Sequence, residues 1–417
     1  MSSLRKAYLF LKSLNGRLDK RYKILLLATG VYSWALNLPA TYAQLYATML
    51  GADPIELGLL SSLGSVASAF AAIPAGWFMA RYGAKKVLIL GFLAFAASAG
   101  MYLVAANWLF LVPASLLSAL APSFIYPLSD IIIVEVTREG SRAAAMGFSR
   151  TVWNAFALFA PPVATMLVVT FGGLTLEAMR PLFLVQFTAA VGVALALAAV
   201  LENSETLTAN APSLGLIEVL NNTRLLLMKK GSFAWMLAMS AQRFSTGIAM
   251  AYLPLWLVGV RGADPYIIGA MNTAGVIAVL LLSAPVGVIA DRLGWLKVFL
   301  VTRTFLYLGT LLMLLIPAPS ALVLAGAFGT FGFMYGVGGV SFIPFITAFW
   351  ESPQPNHRGS WLTASNMLGG LIGAVAPLVG GIVWDAGYRD LTLLLPLFVD
   401  LASLFFAIEA KRYSNQW

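Results

Sequence analysis

Three charged residues stand deep inside long apolar stretches of this sequence: Arg243, Asp130 and Asp400. A charge at the centre of a membrane-spanning helix costs about 2.5–3.5 kcal/mol, so it should face a protein interior or a water-filled cavity. Arg243 lies near the middle of its stretch. It could contact an anionic or strongly polar group of a bound molecule, or it could form a structural ion pair with a buried acid.

Asp130 and Arg150 lie on either side of one connection between neighbouring stretches. At 1.5 Å per residue, both fall roughly 7–9 Å inside antiparallel helices and could pair. The pair could be a protonation switch, because the pKa of a carboxyl group depends on burial and on a nearby cation. It could equally be a fixed pair that stabilises the hairpin. For Asp400 we expect a structural pair with Arg303.

Polar side chains also recur at helical spacing. Ser33, Asn37, Thr41, Gln44 and Thr48 are three or four residues apart and would form one stripe on a helix. In a membrane helix such a stripe favours a cavity wall, and hydrogen bonding between helices is the alternative. The candidates for a substrate cavity are Asn37, Thr41, Gln44, Tyr126, Trp153, Asn154, Arg243, Asn272 and Asn366.

The elements that carry these residues follow from composition. The chain has 417 residues, of which 60% are hydrophobic and only 10% are charged. That charge is too sparse to cover a water-facing surface, which argues against a soluble enzyme and a nucleic-acid-binding protein. Twelve apolar runs are long enough to span a bilayer. With no cysteine and one histidine, His357, we expect no metal site and no cofactor.

The twelve runs predict an all-α membrane protein with two six-helix bundles, at residues 22–201 and 232–410. Residues 1–21 predict an amphipathic helix on the membrane surface, residues 202–231 a linker, and residues 411–417 a tail. All but four of the 26 Lys and Arg lie on the face that carries both ends. Basic residues stay in the cytoplasm, so both ends and the linker are expected there, with the protein in the cell membrane.

The two bundles are related by an internal repeat. The run Gly51-Ala52-Asp53-Pro54 recurs 211 residues later as Gly262-Ala263-Asp264-Pro265. The same offset aligns Gly76 with Gly287, Arg81 with Arg292 and Gly83 with Gly294. Paired bundles of this kind are a known transporter plan with the substrate site between the halves near mid-membrane.

The run Gly287-Val-Ile-Ala-Asp291-Arg292-Leu-Gly294 resembles the cytoplasmic loop signature of the major facilitator superfamily. The first half has Ala80 in place of the signature's Asp. The Gly/Pro-rich run at residues 369–381 resembles a signature of antiporter families. Glu135 with Arg142 and Glu351 with Arg358, each seven residues apart, resemble a sugar-porter pattern. The resemblance implies twelve transmembrane helices, with spans one, four, seven and ten around the cavity.

The repeated charges suggest a cytoplasmic gate that closes when the cavity faces outward, and simple anchoring by positive charge is the alternative. Glycines of the loop would permit a tight turn and a close helix approach. The expected gate residues are Gly76, Arg81, Gly83, Glu135, Arg142, Gly287, Asp291, Arg292, Gly294, Glu351 and Arg358.

The sequence therefore predicts a secondary active transporter that moves a small organic solute by alternating access, with a proton as the expected coupling ion. No phosphate-binding loop motif is present, which disfavours an ATP-driven pump. Export is slightly favoured over uptake of a sugar or organic anion. A receptor built on a transporter fold is the alternative of another class. We expect a monomer in the lipid bilayer, with a small-molecule substrate and no nucleic-acid partner.

Overall fold

The computed structural model describes residues 20–136, 142–200, 228–333, 335–351 and 358–413. Residues 1–19 of the surface helix expected at residues 1–21, most of the linker and the last residues of the tail lie outside these ranges. Within them the chain is helical apart from turns and one isolated bridge between Thr330 and Phe333.

The helices of the first half follow the predicted spans closely. Spans one, two and five each consist of two helices, whereas spans three, four and six are single helices. In order, the bounds are Lys20–Asn37 with Ala43–Met49, Pro54–Phe70 with Ala72–Tyr82, Ala84–Val104, Leu111–Val136, Arg142–Leu158 with Ala160–Thr170, and Leu176–Val200.

The second half repeats this order. Span seven has two helices, span ten has three, and the others are single helices. The bounds are Lys230–Met250 with Leu253–Gly259, Pro265–Leu293, Trp295–Leu315, Pro319–Phe328 with Gly336–Gly339 and Phe342–Glu351, Arg358–Asp385, and Leu391–Arg412. Eight helical stretches within the described ranges are long and apolar enough to cross a membrane. The predicted fold class is confirmed.

The breaks within spans were not expected from the apolar runs, and prolines explain most of them. Pro39 lies within the break of span one, and Pro74, Pro161 and Pro254 follow the breaks in spans two, five and seven by two or three residues. Proline lacks the amide hydrogen that would bond the carbonyl four residues earlier, and its ring crowds that carbonyl. The helix therefore opens at or shortly before each proline.

Span ten is interrupted for a different reason. Gly329, Gly332 and Gly336 have φ values of 90°, 90° and 85°, a region that other residues rarely adopt. Irregular backbone at membrane depth is tolerated only where protein or a water-filled cavity satisfies its polar groups. The glycine-rich segment of span ten is therefore expected to face an internal space.

The repeated Gly-Ala-Asp-Pro motif builds the same corner in both halves. Gly51 and Gly262 have positive φ values of 93° and 63°. Asp53 then accepts from the backbone N–H of Glu56, and Asp264 accepts from that of Ile267, each capping a helix that begins with proline. Side-chain caps and proline at the first helical position are the standard start of a helix. The shared corner fixes where spans two and eight begin.

The helix bundle has a terminal face and a distal face. The terminal face is the one at which span one begins at Lys20 and span twelve ends at Arg412, and the distal face is the other. One apolar core contains residues of both halves near the distal face, among them Tyr46 and Trp256. The halves therefore share a packed core at that face.

Asp400 and Arg303 form the structural pair that the sequence predicts. Their side chains are 0% and 1% exposed. Arg303 donates from Nε to Asp400 Oδ2 at 2.8 Å and from Nη2 to Oδ1, while Tyr307 and Ser403 donate one hydrogen bond each. Because both carboxylate oxygens are bonded, the charges can remain buried between spans nine and twelve.

Candidate functional site

The described residues of the two halves enclose a central cavity and a side cavity. The central cavity, of about 560 Å³, is bounded by spans one, three to eight and ten. Its lining includes Leu36, Asn37, Ala40, Thr41, Gln44, Ser98, Tyr102, Ser118, Phe183, Gln186, Met250, Leu257, Met271, Asn272, Val276, Phe333 and Tyr335.

The side cavity, of about 540 Å³, lies beside it among spans one, two, seven, ten and eleven. Its lining includes Gln44, Ser61, Gly64, Ser65, Ser68, Met239, Gln242, Arg243, Thr246, Met250, Phe342, Gly369, Gly370, Gly373 and Pro377. Gln44 and Met250 line both cavities, so the two spaces adjoin.

Polar side chains join the halves across the central cavity. Tyr335 Oη donates to Asn37 Oδ1 at 2.7 Å, and Asn272 Nδ2 donates to Thr41 Oγ1 at 2.9 Å. Tyr335 belongs to the irregular segment of span ten, which therefore does face an internal space. Interrupted helices at the interface of two repeats are where transporters of this type bind their substrates.

The polar stripe of span one is only partly realised, because the helix breaks before Pro39. Asn37, Thr41 and Gln44 line the central cavity. Ser33 is fully buried instead, and Thr48 donates to the backbone of Leu45. The expectation of one continuous helical stripe was therefore wrong at its two ends.

Arg243 extends into the side cavity from span seven. Its Nη2 donates to Asn366 Oδ1 at 2.5 Å and its Nη1 to the backbone oxygen of Asn366 at 3.3 Å. No Asp or Glu among the described residues pairs with Arg243, so the ion pair considered from the sequence is not formed there. Asn366 is not among the residues that line either cavity, but it holds the guanidinium of Arg243, which does line one.

Tyr126, Trp153 and Asn154 lie outside both cavities. The rings of Tyr126 and Trp153 are 4.7 Å apart and both pack edge-on against Tyr32. Tyr32 is the repeat counterpart of Arg243, so an aromatic cluster in the first half stands where the second half has a cation. Asn154 is half-buried on the same helix.

Asp130 and Arg150 pair as the spacing suggested. Arg150 Nη2 lies 2.6 Å from Asp130 Oδ2, and their side chains are 51% and 27% exposed respectively. The guanidinium also lies 5.9 Å from the centre of the Tyr126 ring. The pair is thus reachable by water and connected to the aromatic cluster.

At the distal face the halves are closed against each other. Tyr252 Oη lies 2.9 Å from the backbone oxygen of Pro54 and 2.8 Å from that of Pro377, so one hydroxyl links spans two, seven and eleven. Thr165 Oγ1 donates to the backbone oxygen of Pro265 at 3.3 Å, which joins spans five and eight. We call these contacts the distal closure.

Sequence reasoning missed several polar residues of this region, namely Tyr335, Gln186 and Gln242. The glycine-rich run at 329–336 was a signal for a broken span and could have pointed to Tyr335. Nothing in the sequence marks the others, because a polar residue in a helix reveals its partners only after packing.

The chain matches the Major Facilitator Superfamily over residues 25–377, from span one into span eleven. It belongs to the Major Facilitator Superfamily. A search of curated proteins gives no significant match. The superfamily fold is that of secondary transporters, and the chain is a multi-pass membrane protein.

Solved structures of other superfamily members share this fold at low sequence identity. A variant of the nucleoside transporter NupG has a TM-score of 0.76 at 14% identity and covers 94% of this chain and 100% of its own. A bacterial homologue of the human lysosomal transporter Spinster has a TM-score of 0.70 at 14% identity, covering 95% and 98%. The E. coli fucose:proton symporter FucP has 0.59 at 15%, covering 93% and 98%. At these identities the likeness establishes the fold alone.

In this superfamily member the loop signature forms sharp corners at the terminal face. Gly83 and Gly294 have φ values of 82° and 88° and separate spans two and three, and eight and nine. At Gly287 an added Cβ would meet nothing within 4 Å, so the close approach expected there is not made. The surroundings of Gly76 lie outside the described part.

The gate charges that the structure describes, Arg81, Asp291 and Arg292, form no ion pair with one another. Arg81 stacks near Trp77 and Tyr82, with its guanidinium 5.4 and 5.7 Å from the ring centres. Asp291 and Arg292 are exposed, and no ion pair joins them to a described residue. The side chains of Glu135, Arg142, Glu351 and Arg358 lie outside the described part, so the gate remains a prediction.

Proposed function

We propose that this protein moves a small organic solute across the membrane by alternating access, using the cavities between its halves. The observation that carries the proposal is the combination of an interface cavity with a closure at one end. The central cavity is bounded by broken spans of both halves, and the distal closure blocks it on one side. Loosening the distal closure while the terminal face closes would move the cavity opening across the membrane.

The terminal face is the cytoplasmic one in this proposal, because it carries nearly all the basic residues. With the distal closure formed, the cavity would then open toward the cytoplasm. The exposed Asp291 and Arg292 fit this state, since a cytoplasmic gate is needed only when the distal side opens. The termini are cytoplasmic and the chain resides in the cell membrane as a monomer.

The coupling ion in this proposal is a proton, carried by Asp130. Its carboxylate is held by Arg150 within reach of water. Protonation would remove the charge that pairs with Arg150 and free that cation for another contact. Such a change on spans four and five would act on the half that carries Asn37 and Thr41.

Export of the solute is the direction we favour, with uptake of a sugar or an organic anion as the alternative. The glycine-rich run of span eleven, which first suggested antiport, packs against span two. An added Cβ at Gly370 would lie 2.7 Å from Ala69 Cβ, and one at Gly381 would lie 2.8 Å from the oxygen of Pro54. Close packing of the halves accounts for these glycines in either direction of transport.

A lockable distal closure tests the proposal, because the sequence contains no cysteine. A Cβ built on Gly269 would lie 3.0 Å from Thr165 Cβ across the half interface. The double variant Thr165→Cys, Gly269→Cys is therefore within reach of a disulfide after a small adjustment. Oxidation should lock the distal face shut and reduction should release it.

Transport is measured in proteoliposomes by counterflow with a panel of labelled organic anions, sugars and amphipathic cations. We expect substrate-dependent exchange that stops on oxidation of the double variant and returns on reduction. The single variant Thr165→Cys, treated identically, should keep its transport. Exchange that continues in the locked protein would contradict alternating access, and binding of a panel compound without any exchange would favour the receptor alternative.

A further inference from the structure

The side cavity has an unbalanced charge. Among the residues that the structure describes, Arg243 is the one charged side chain that lines either cavity. No carboxylate lines the same space. A guanidinium stays protonated at any accessible pH. The cavity between the halves therefore carries one fixed positive charge that no described protein group neutralises.

Arg243 also has unused hydrogen-bond donors. A guanidinium has five N–H groups, and the described hydrogen bonds of Arg243 are to Asn366 alone. Gly369 and Gly373 of span eleven leave room for the side chain to lie along that helix. An added Cβ at Gly369 would be 2.9 Å from Arg243 Cδ. Asn366 and the glycines thus hold the guanidinium in one place while the rest of the fork is free for a ligand.

Gln242, the preceding residue, supplies a second and independent observation. It is 7% exposed and lines the side cavity, and its Nε2 has no hydrogen-bond partner within the described ranges. A buried donor left without a partner is costly, so such groups usually meet a ligand, ion or water. Turned toward the cavity, this amide would join the guanidinium of Arg243 on one wall, and the two together match a group with several acceptor oxygens.

The remaining walls define the body of that ligand. Met239, Met250 and Phe342 present apolar surface, while Ser61 and Ser68 of span two add hydroxyl groups on the opposite side. A cavity of about 540 Å³ is larger than an inorganic anion needs and lies in the range of small organic ligands. The lining therefore suits an anionic head attached to an apolar body.

We propose that the side cavity is a binding site for an organic monocarboxylate, whose carboxylate is held by Arg243 and Gln242 and whose apolar body lies against Met239, Met250 and Phe342. The inference deepens the proposed function and rests on it, because it names the substrate class for the same interface. A cation is disfavoured by the charge of Arg243, and a neutral sugar would leave that charge unbalanced.

The test uses purified full-length protein in detergent and measures binding without transport. The probe is phenylacetate, with phenylacetamide and 2-phenylethylammonium as neutral and cationic counterparts of the same shape. The readout is the shift in thermal unfolding with probe concentration. We expect saturable stabilisation by phenylacetate alone, since a ligand that binds only the folded state raises its stability.

Three variants assign the binding to the site. Arg243→Gln should weaken the apparent affinity for phenylacetate about tenfold or more, and Gln242→Leu about fivefold, from the loss of one charged and one neutral hydrogen-bonding group. Gln242→Leu removes a buried donor without a partner, so the protein should remain folded. Arg389→Gln removes the same charge from an exposed position on the distal face and should leave the affinity unchanged.

The inference is overturned if phenylacetamide or the cation stabilises as strongly as phenylacetate, or if both cavity variants bind like the wild type. It is also overturned if sodium chloride or phosphate at equal ionic strength has the same Arg243-dependent effect, because the site would then be one for inorganic anions. Arg243-dependent binding without counterflow in proteoliposomes would reject the transport proposal and leave the site standing. Counterflow of another solute with no carboxylate binding would do the reverse.

Discussion

The hydroxyl group of Tyr252 should control how often the distal face opens. Its oxygen lies within hydrogen-bond distance of backbone oxygens on both halves, at Pro54 and Pro377. Tyr252→Phe removes that hydroxyl and keeps the ring, which stacks on Trp384 with ring centres 5.7 Å apart. The perturbation therefore acts on the link between the halves with little change in packing.

The size of the effect follows from one hydroxyl donor. A neutral hydrogen bond contributes about 0.5–1.5 kcal/mol net. When the distal face opens, the hydroxyl keeps Pro377 of its own half as an acceptor. Loss of the bond to Pro54 therefore raises the odds of the open form by at most about 2- to 13-fold, or about fivefold at 1 kcal/mol. The rest of the closure remains, so the variant should still fold and transport.

Distances between spin labels at the distal ends of spans two and eleven measure this population. Ile55 and Tyr388 are 42% and 65% exposed, so Ile55→Cys and Tyr388→Cys can carry labels, and no native cysteine competes for the reagent. In reconstituted protein, Tyr252→Phe should increase the fraction of long distances. Tyr82→Phe, at an exposed tyrosine on the terminal face, is the matched control.

An unchanged distance distribution in Tyr252→Phe would refute the view that this hydroxyl holds the halves together. A shift of equal size in Tyr82→Phe would show that the change does not come from the distal closure.

Three further predictions concern other positions. Gly58→Val should open the distal face more strongly than Tyr252→Phe, because an added Cβ would lie 2.6 Å from the oxygen of Pro377. Gly192→Val should leave the distal face unchanged, because a Cβ there meets nothing within 4 Å. Distances between the same two spin labels measure both variants. Asp400→Asn should lower the free energy of unfolding by about 3–5 kcal/mol, since it leaves Arg303 buried without its anion; an unchanged thermal midpoint would contradict this. Asp130→Asn should abolish transport driven by a pH gradient while counterflow persists, and loss of both would remove Asp130 from a coupling role.

The repeat shows what could be read from the sequence. A single Asp-Pro pair in an apolar sequence predicts little. The recurrence of Gly-Ala-Asp-Pro 211 residues later indicates that the same corner is built twice. The structure gives that corner a cause, because Asp53 and Asp264 cap helices and the preceding glycines adopt positive φ. Local signals of this kind survive in the sequence because each residue acts on its own neighbours.

The pairing of charges within the spans was predicted nearly as well. Asp400 and Arg303 pair although they lie on different spans, and so do Asp130 and Arg150. The cost of an unpaired charge inside a membrane protein leaves few alternatives when charges are scarce. For Arg243 the same reasoning left open a contact with a bound molecule or an ion pair with a buried acid. Only the packed helices show that no described acid reaches it.

By itself, the sequence determined the span count, the duplication, the face that carries the basic residues and the positions of the buried charges. All of these depend on length, polarity or local backbone geometry. Tertiary structure decided which polar groups meet. It placed Tyr335 against Asn37 and Tyr252 between Pro54 and Pro377, and it gave Arg243 the partner Asn366 in a cavity with no acid among its described lining residues. Such pairings join residues up to 298 positions apart, and no property of either residue alone encodes its partner.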